Sequence, residues 1–231
     1  VAGVADTVLL LSDRGGWSAH EDALARALAM HGARVIGIDL PVYLKRLSAI
    51  DDKCSYPAGH FEEIAHCIER HEGDADYRMP LVVGTGSGAA FAYAMVAQAP
   101  TNTFSALITL GWDGDFRLSK AICPGDAGAM TVADADARYR IAPMAVLPTE
   151  WLALGGAHLP GPASVIDRLW RDMGLPPPQF LHSQAMTDIG VTYAHWREQQ
   201  DAIRITLPDD IADLPLTEIA PTSRDDGRIA I

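Results

Sequence analysis

Residues 79–100 read MPLVVGTGSGAAFAYAMVAQAP. Leu81-Val82-Val83 is an apolar run of strand length, too short for a helix of its own. Gly84 to Gly88 then supplies residues that tolerate a strained turn, and the alanine-rich segment that follows has a helical pattern. The stretch predicts a strand that enters a helix through a sharp elbow.

A corner of this kind lifts the nucleophile of α/β-hydrolases above the C-terminal edge of a sheet, in the pattern G-x-S-x-G. Two registers fit. With Gly84 and Gly88 as the outer glycines, the central position falls on Gly86. Shifted by one, Ser87 is central and Thr85 and Ala89 are its small flanks. The first register is preferred, because the outer glycine of the motif directly follows the last apolar strand residue, here Val83. It keeps the elbow and removes the nucleophile, since glycine has no side chain on which an acyl intermediate can form.

Upstream, Thr7 to Ser12 (TVLLLS) and Arg34 to Leu40 (RVIGIDL) are apolar runs of strand length, the second closed by Pro41. Between them His20 to His31 has helical spacing, with Ser18 as N-cap, Glu21 in the capping-box position and Gly32 as the stop. Val42 to Tyr56 reads as an irregular surface excursion. Ala58 to His71 is helical, and Phe104 to Leu110 is another strand. Beyond it, Asp134 to Arg140 suggests a short helix, Glu150 to Leu154 a strand, Pro162 to Met173 a helix, Gln179 to His182 a last strand and Gly190 to Ile205 a helix. Alternating strands and helices imply βαβ units. The expected class is α/β: an α/β-hydrolase-like three-layer sandwich around a mainly parallel central sheet.

The 231 residues are 48% hydrophobic, which suits one domain with a substantial core. A net charge of -12 argues against nucleic acid, which needs a basic stripe. No apolar run approaches the roughly 20 residues of a membrane helix. Residues 207–231 combine proline and acidic residues without periodicity and read as a linker, ending in Arg228-Ile229-Ala230-Ile231, which resembles a fresh strand start. Of the three cysteines, Cys67 falls in a helical pattern as a core thiol, whereas Cys54 and Cys123 fall in loops and can join in an oxidising compartment. His60, His66 and His71 do not share one helix face, so solvated helix residues are expected and no metal.

Residues 10–17 (LLSDRGGW), the strand RVIGIDL and the elbow VVGTGSGAA resemble the AcvB/VirJ family of bacterial virulence-associated periplasmic proteins, over Thr7 to Trp112. The resemblance implies an α/β-hydrolase-like domain and a link to type IV secretion. Active members of that family hydrolyse aminoacylated phosphatidylglycerol, chiefly the lysyl form. AcvB-like proteins carry two such domains, the catalytic one second, with an elbow resembling G-Y-S-F-G; matching it places the serine on Gly86. The chain then corresponds to the non-catalytic first domain over residues 1–206, with residues 207–231 as the linker and start of the next. Implied partners are that second hydrolase domain, a phospholipid head group and secretion components; no cofactor is implied.

A working triad needs serine, acid and histidine in that chain order. The acid belongs near Leu152 to His158, where the sequence has no carboxylate, and the base near Gln184 to Thr187, where it has no histidine. A triad through Ser87 would draw on His182 or His195 and on Asp188, each displaced from its expected place. No catalytic residue is therefore expected. What the sequence offers for binding is Gly15, Gly16 and the Ser87 N–H as a donor nest of oxyanion-hole type, bordered by Trp17 and Trp112, with Gly86 at its centre. Read structurally, Gly15-Gly16 make a tight turn and the tryptophans are packing residues. Asp39 and Asp113, at strand ends, are placed to accept from backbone amides.

Overall fold

The protein's structure is a computed structural model that describes residues 6–111, 116–125, 128, 131–142 and 147–155, together with the strand backbones at 180–182, 204–205, 220–223 and 228–230. In chain order the elements are β1 (Asp6–Leu11), α1 (Ala19–Met30), β2 (Ala33–Ile38), α2 (Leu40–Ala49), α3 (Pro57–His71), β3 (Tyr77–Arg78), β4 (Leu81–Thr85), α4 (Ser87–Gln98) and β5 (Ala106–Leu110). There follow β6 (Arg117–Leu118), β7 (Thr131–Ala133), β8 (Tyr139–Ile141), β9 (Glu150–Gly155), β10 (Phe180–His182), β11 (Arg204–Ile205), β12 (Ala220–Ser223) and β13 (Arg228–Ala230).

The main sheet has the order β10-β9-β5-β4-β1-β2-β13-β12. Every neighbouring pair in it is parallel except β12 with β13. β12 and β13 fall within residues 207–231, and β13 pairs with β2 through Ile229 and Ile36.

Strand alternation sorts the apolar side chains onto two faces. Leu9, Leu11, Ile36, Ile38, Val82 and Leu107 join one core with α2, α3 and α4. Val8, Leu10, Val35, Leu81, Val83 and Ile108 join the other with α1. Helices thus cover both faces of a mainly parallel sheet, the α/β-hydrolase-like three-layer arrangement. The axis of the larger core is α4, in which every residue from Ser87 to Gln98 is buried. Its alanines let it lie close to β4 and β5, while Phe91, Tyr93 and Met95 fill the layer around it.

Several local expectations match. Ser18 caps α1 by accepting from the His20 N–H, and Glu21 completes a capping box. α3, β5, β9 and β10 fall where helix and strand patterns placed them.

Others need correction. Residues 42–56 are not irregular throughout: Asp39 accepts from the Val42 N–H and, with Pro41 in the first turn, starts α2. The proline that closes β2 therefore also opens a helix. Residues 134–140 form no helix: 134–138 make the turn of the β7–β8 hairpin, and Tyr139 and Arg140 already belong to β8. Asp134 Oδ1 accepts from the Asp136 and Arg138 N–H groups, and Ala137 adopts φ 57.

His66 is buried against Tyr77, rings stacked 3.5 Å apart between centroids, rather than solvated. Cys67 is half-buried, not a core thiol. Arg204 and Ile205, expected to end a helix, form β11 opposite β3. The helix expected over 162–173 and the remainder of that over 190–205 lie outside the described residues.

Cys54 and Cys123 are joined by a disulfide. Beside it, buried Gln98 at the end of α4 makes three hydrogen bonds: Nε2 donates to the Ser55 and Cys123 carbonyls at 3.0 and 2.9 Å, and Oε1 accepts from the Ala58 N–H at 3.2 Å. The first segment after β5 is thus fastened to the body covalently and through a three-way polar clamp.

Candidate functional site

The elbow sits at the C-terminal end of β4, in the middle of the sheet. Gly86 takes φ 52 and ψ -116, a backbone that side-chain-bearing residues rarely adopt. Its N–H donates to the Leu110 carbonyl at 2.9 Å, anchoring the corner to β5.

The outer glycines answer to close approach. A Cβ on Gly84 would lie 2.5 Å from the Gly88 carbonyl oxygen, and one on Gly88 would lie 2.3 Å from the Ser12 carbonyl oxygen. Both obstacles are backbone. Thus 84 and 88 need glycine for packing, and 86 holds the left-handed turn between strand and helix.

Thr85, immediately before the turn, donates through Oγ1 to Glu21 Oε1 at 3.1 Å. Glu21 Oε2 accepts from the Ser18 N–H at 3.0 Å, so one buried carboxylate joins the cap of α1 to the elbow.

Ser87 is the first residue of α4 and is fully buried. Its N–H donates to Asp13 Oδ1 at 2.7 Å. Asp13 belongs to the loop between β1 and α1, and the Gly16 N–H donates to its main-chain carbonyl at 2.9 Å. The adjacent Trp17 N–H donates to Asp39 Oδ2 at 2.9 Å. Two donors of the expected nest, those of Gly16 and Ser87, are therefore engaged by Asp13. Gly15 lies on open space, with nothing within 4 Å of an added Cβ.

Trp17 packs its ring on Gly37 of β2, where a Cβ would come within 2.5 Å of the indole. Its Nε1 donates to Asp22 Oδ1 at 2.9 Å. Asp39 accepts from both Trp17 and Val42 main chain, the role expected of a carboxylate at this strand end. Trp112, Asp113, Asp188 and His195 lie outside the described residues. His182 is described only as part of the β10 backbone.

Asp13 is the site residue not anticipated from sequence; its signal is a carboxylate two residues beyond β1, in the loop from which hydrolase folds draw an oxyanion-hole donor. Among the described residues no group of three or more His, Cys, Asp or Glu is placed to hold a metal ion. Among them, too, no helix is long and apolar enough to cross a membrane.

No protein-family model matches the chain, and no curated protein matches it. Solved structures resemble it in fold. One is a putative hydrolase of the α/β superfamily from Xanthomonas campestris pv. campestris, with 15% identity, 84% of this chain and 99% of that chain covered, and a TM-score of 0.45. Another is a PytH variant, with 13% identity, 84% and 98% covered, and a TM-score of 0.47.

Proposed function

We propose that this chain is a non-catalytic α/β-hydrolase-fold domain of a periplasmic protein resembling the AcvB/VirJ family. It serves binding or partner recruitment while another domain of the parent protein hydrolyses aminoacylated phosphatidylglycerol. The observation that carries this reading is Gly86: it holds the elbow turn, φ 52, where the fold presents a nucleophile, and it has no side chain with which to attack a carbonyl.

Burial of Ser87 at the start of α4 supports the same reading, since an attacking hydroxyl must reach its substrate. The Cys54–Cys123 disulfide favours an oxidising compartment such as the periplasm. The implied partners are the sister hydrolase domain, a phospholipid head group and components of type IV secretion. A net charge of -12 argues against attachment to an anionic membrane by electrostatics alone.

Treating the purified chain with a fluorophosphonate probe tests the proposal. No covalent labelling is expected. Labelling that disappears in Ser87→Ala would overturn it in favour of an active serine esterase or lipase, as would hydrolysis of lysyl-phosphatidylglycerol by this chain alone.

A further inference from the structure

In hydrolase folds the oxyanion hole takes one N–H from the residue after the nucleophile and another from the loop that follows an adjacent strand. Here the first of these is the Ser87 N–H, and the loop is that between β1 and α1, which holds Asp13. The acceptor bound to Ser87 is supplied by the chain itself, Asp13 Oδ1 at 2.7 Å. A Cβ on Gly86 would lie 2.3 Å from that oxygen and 2.5 Å from Asp13 Cγ. Any side chain at position 86 and the Asp13 carboxylate therefore claim the same space.

We infer that Asp13 is an internal lock on the elbow. Its tethered carboxylate stands where a nucleophile side chain would begin and takes the donor that would meet a substrate's carbonyl oxygen, so an ester or amide carbonyl is excluded while it is in place. The inference rests on the non-catalytic reading and deepens it: a missing side chain at 86 and exclusion of substrate are one steric arrangement.

The lock is well founded. A carboxylate accepting from a backbone N–H at the start of a 12-residue helix makes a charge-assisted bond aligned with the helix dipole. The loop that carries Asp13 is held at both ends: Ser12 Oγ accepts from the Leu40 N–H at 3.0 Å, and Asp39 holds the Trp17 N–H.

The test follows the Ser87 amide by NMR and the melting midpoint in the intact chain and in Asp13→Ala, Gly86→Ala and the double variant. The Ser87 amide proton is expected downfield in the unaltered chain and shifted upfield in each variant. Asp13→Ala is expected to lower the midpoint on the order of 4–8 °C. In the Gly86→Ala background, where the carboxylate is already expelled, it should lower it hardly further. An unmoved Ser87 amide in Gly86→Ala, or additive midpoint shifts, would overturn the inference.

Asp13→Asn leaves position 86 untouched and answers independently of how Gly86→Ala folds. The Ser87 amide proton should lie upfield in Asp13→Asn, because a neutral amide oxygen is a weaker acceptor than a carboxylate; the same amide shift in both proteins would also overturn the lock. Fluorophosphonate labelling of the unaltered chain would sink the non-catalytic reading without touching these amide results, so the two failures are distinguishable.

Discussion

Glu21 and Thr85, 64 residues apart in sequence, meet in a buried hydrogen bond of 3.1 Å that ties the first turn of α1 to the last residue of β4. The same carboxylate closes the capping box on Ser18. A helix cap and the elbow therefore share one buried anion, which is 2% exposed and satisfied from both sides.

Glu21→Ala opens the capping box, leaving the Ser18 N–H without its acceptor and the Thr85 hydroxyl with only the longer contact to the Leu11 carbonyl at 3.4 Å. It should destabilise the fold by about 2–4 kcal/mol, read from urea unfolding. Thr85→Val spares the cap and should cost less than half as much. Equal losses for the two substitutions would show that the elbow bond, not the cap, dominates.

Burial lowers the His66 pKa to about 4, with the Arg70 guanidinium adding to the effect. The ring stacks on Tyr77, and its Nδ1 and the Tyr77 hydroxyl are both buried without a hydrogen-bond partner. A histidine depressed below its unfolded value of about 6.5 gives stability that is full above that value and lost as pH falls toward the folded pKa. Neighbouring Glu69 acts in the opposite sense, because burial raises its pKa and so favours the folded state as the medium acidifies. The contribution of His66 is therefore the difference between the unaltered chain and His66→Phe. That difference should change by up to about 3 kcal/mol between pH 7 and pH 4, as measured by denaturant midpoints. Parallel pH curves for the two proteins would refute it.

The disulfide closes a span of 69 residues between Cys54 and Cys123. Reduction, or Cys54→Ser with Cys123→Ser, should lower stability by about 2–4 kcal/mol. Gln98→Ala strands the Cys123 carbonyl and the Ala58 N–H and leaves the Ser55 carbonyl with the Cys123 N–H alone, and should cost a similar amount. With both removed, hydrogen exchange should rise first in residues 116–125, the segment they fasten. Uniform exchange across the chain would contradict a local clamp.

Gly37→Ala and Gly88→Ala should differ sharply. The first drives a Cβ into the movable indole of Trp17, so a loss of about 1–3 kcal/mol with altered tryptophan emission is expected. The second meets the Ser12 carbonyl, which is backbone at the end of β1 and cannot turn aside. It should fail to fold or lose well over 3 kcal/mol.

The strand-to-helix corner and the layers were legible because their signals are local. Runs such as TVLLLS and LVVG have strand length, and Ser18 with Glu21 spells a capping box. What escaped depended on contacts distant in sequence or on ambiguous punctuation. Pro41 reads as a stop after β2 unless Asp39 is seen as the cap of α2. The Asp134 turn resembles a helix start because the same side chain serves both uses. His66 is polar by type and buried only because Tyr77 comes to lie on it. Asp13 has meaning only once β1 and β4 are side by side, since its partner lies 74 residues away.

α4 joins the elbow at Ser87 to the Gln98 clamp at its other end, roughly 16 Å away along a helix with no exposed residue. A strut so enclosed leaves no slack: whatever displaces its first turn must also disturb the disulfide-bearing segment at its last. Intolerance to substitution at Gly84 and Gly88 would then arise from architecture whether or not any reaction occurs. Mutational sensitivity at a hydrolase-like corner is consequently no measure of enzymatic competence, and a survey of such corners by tolerance alone would count inert scaffolds among working enzymes.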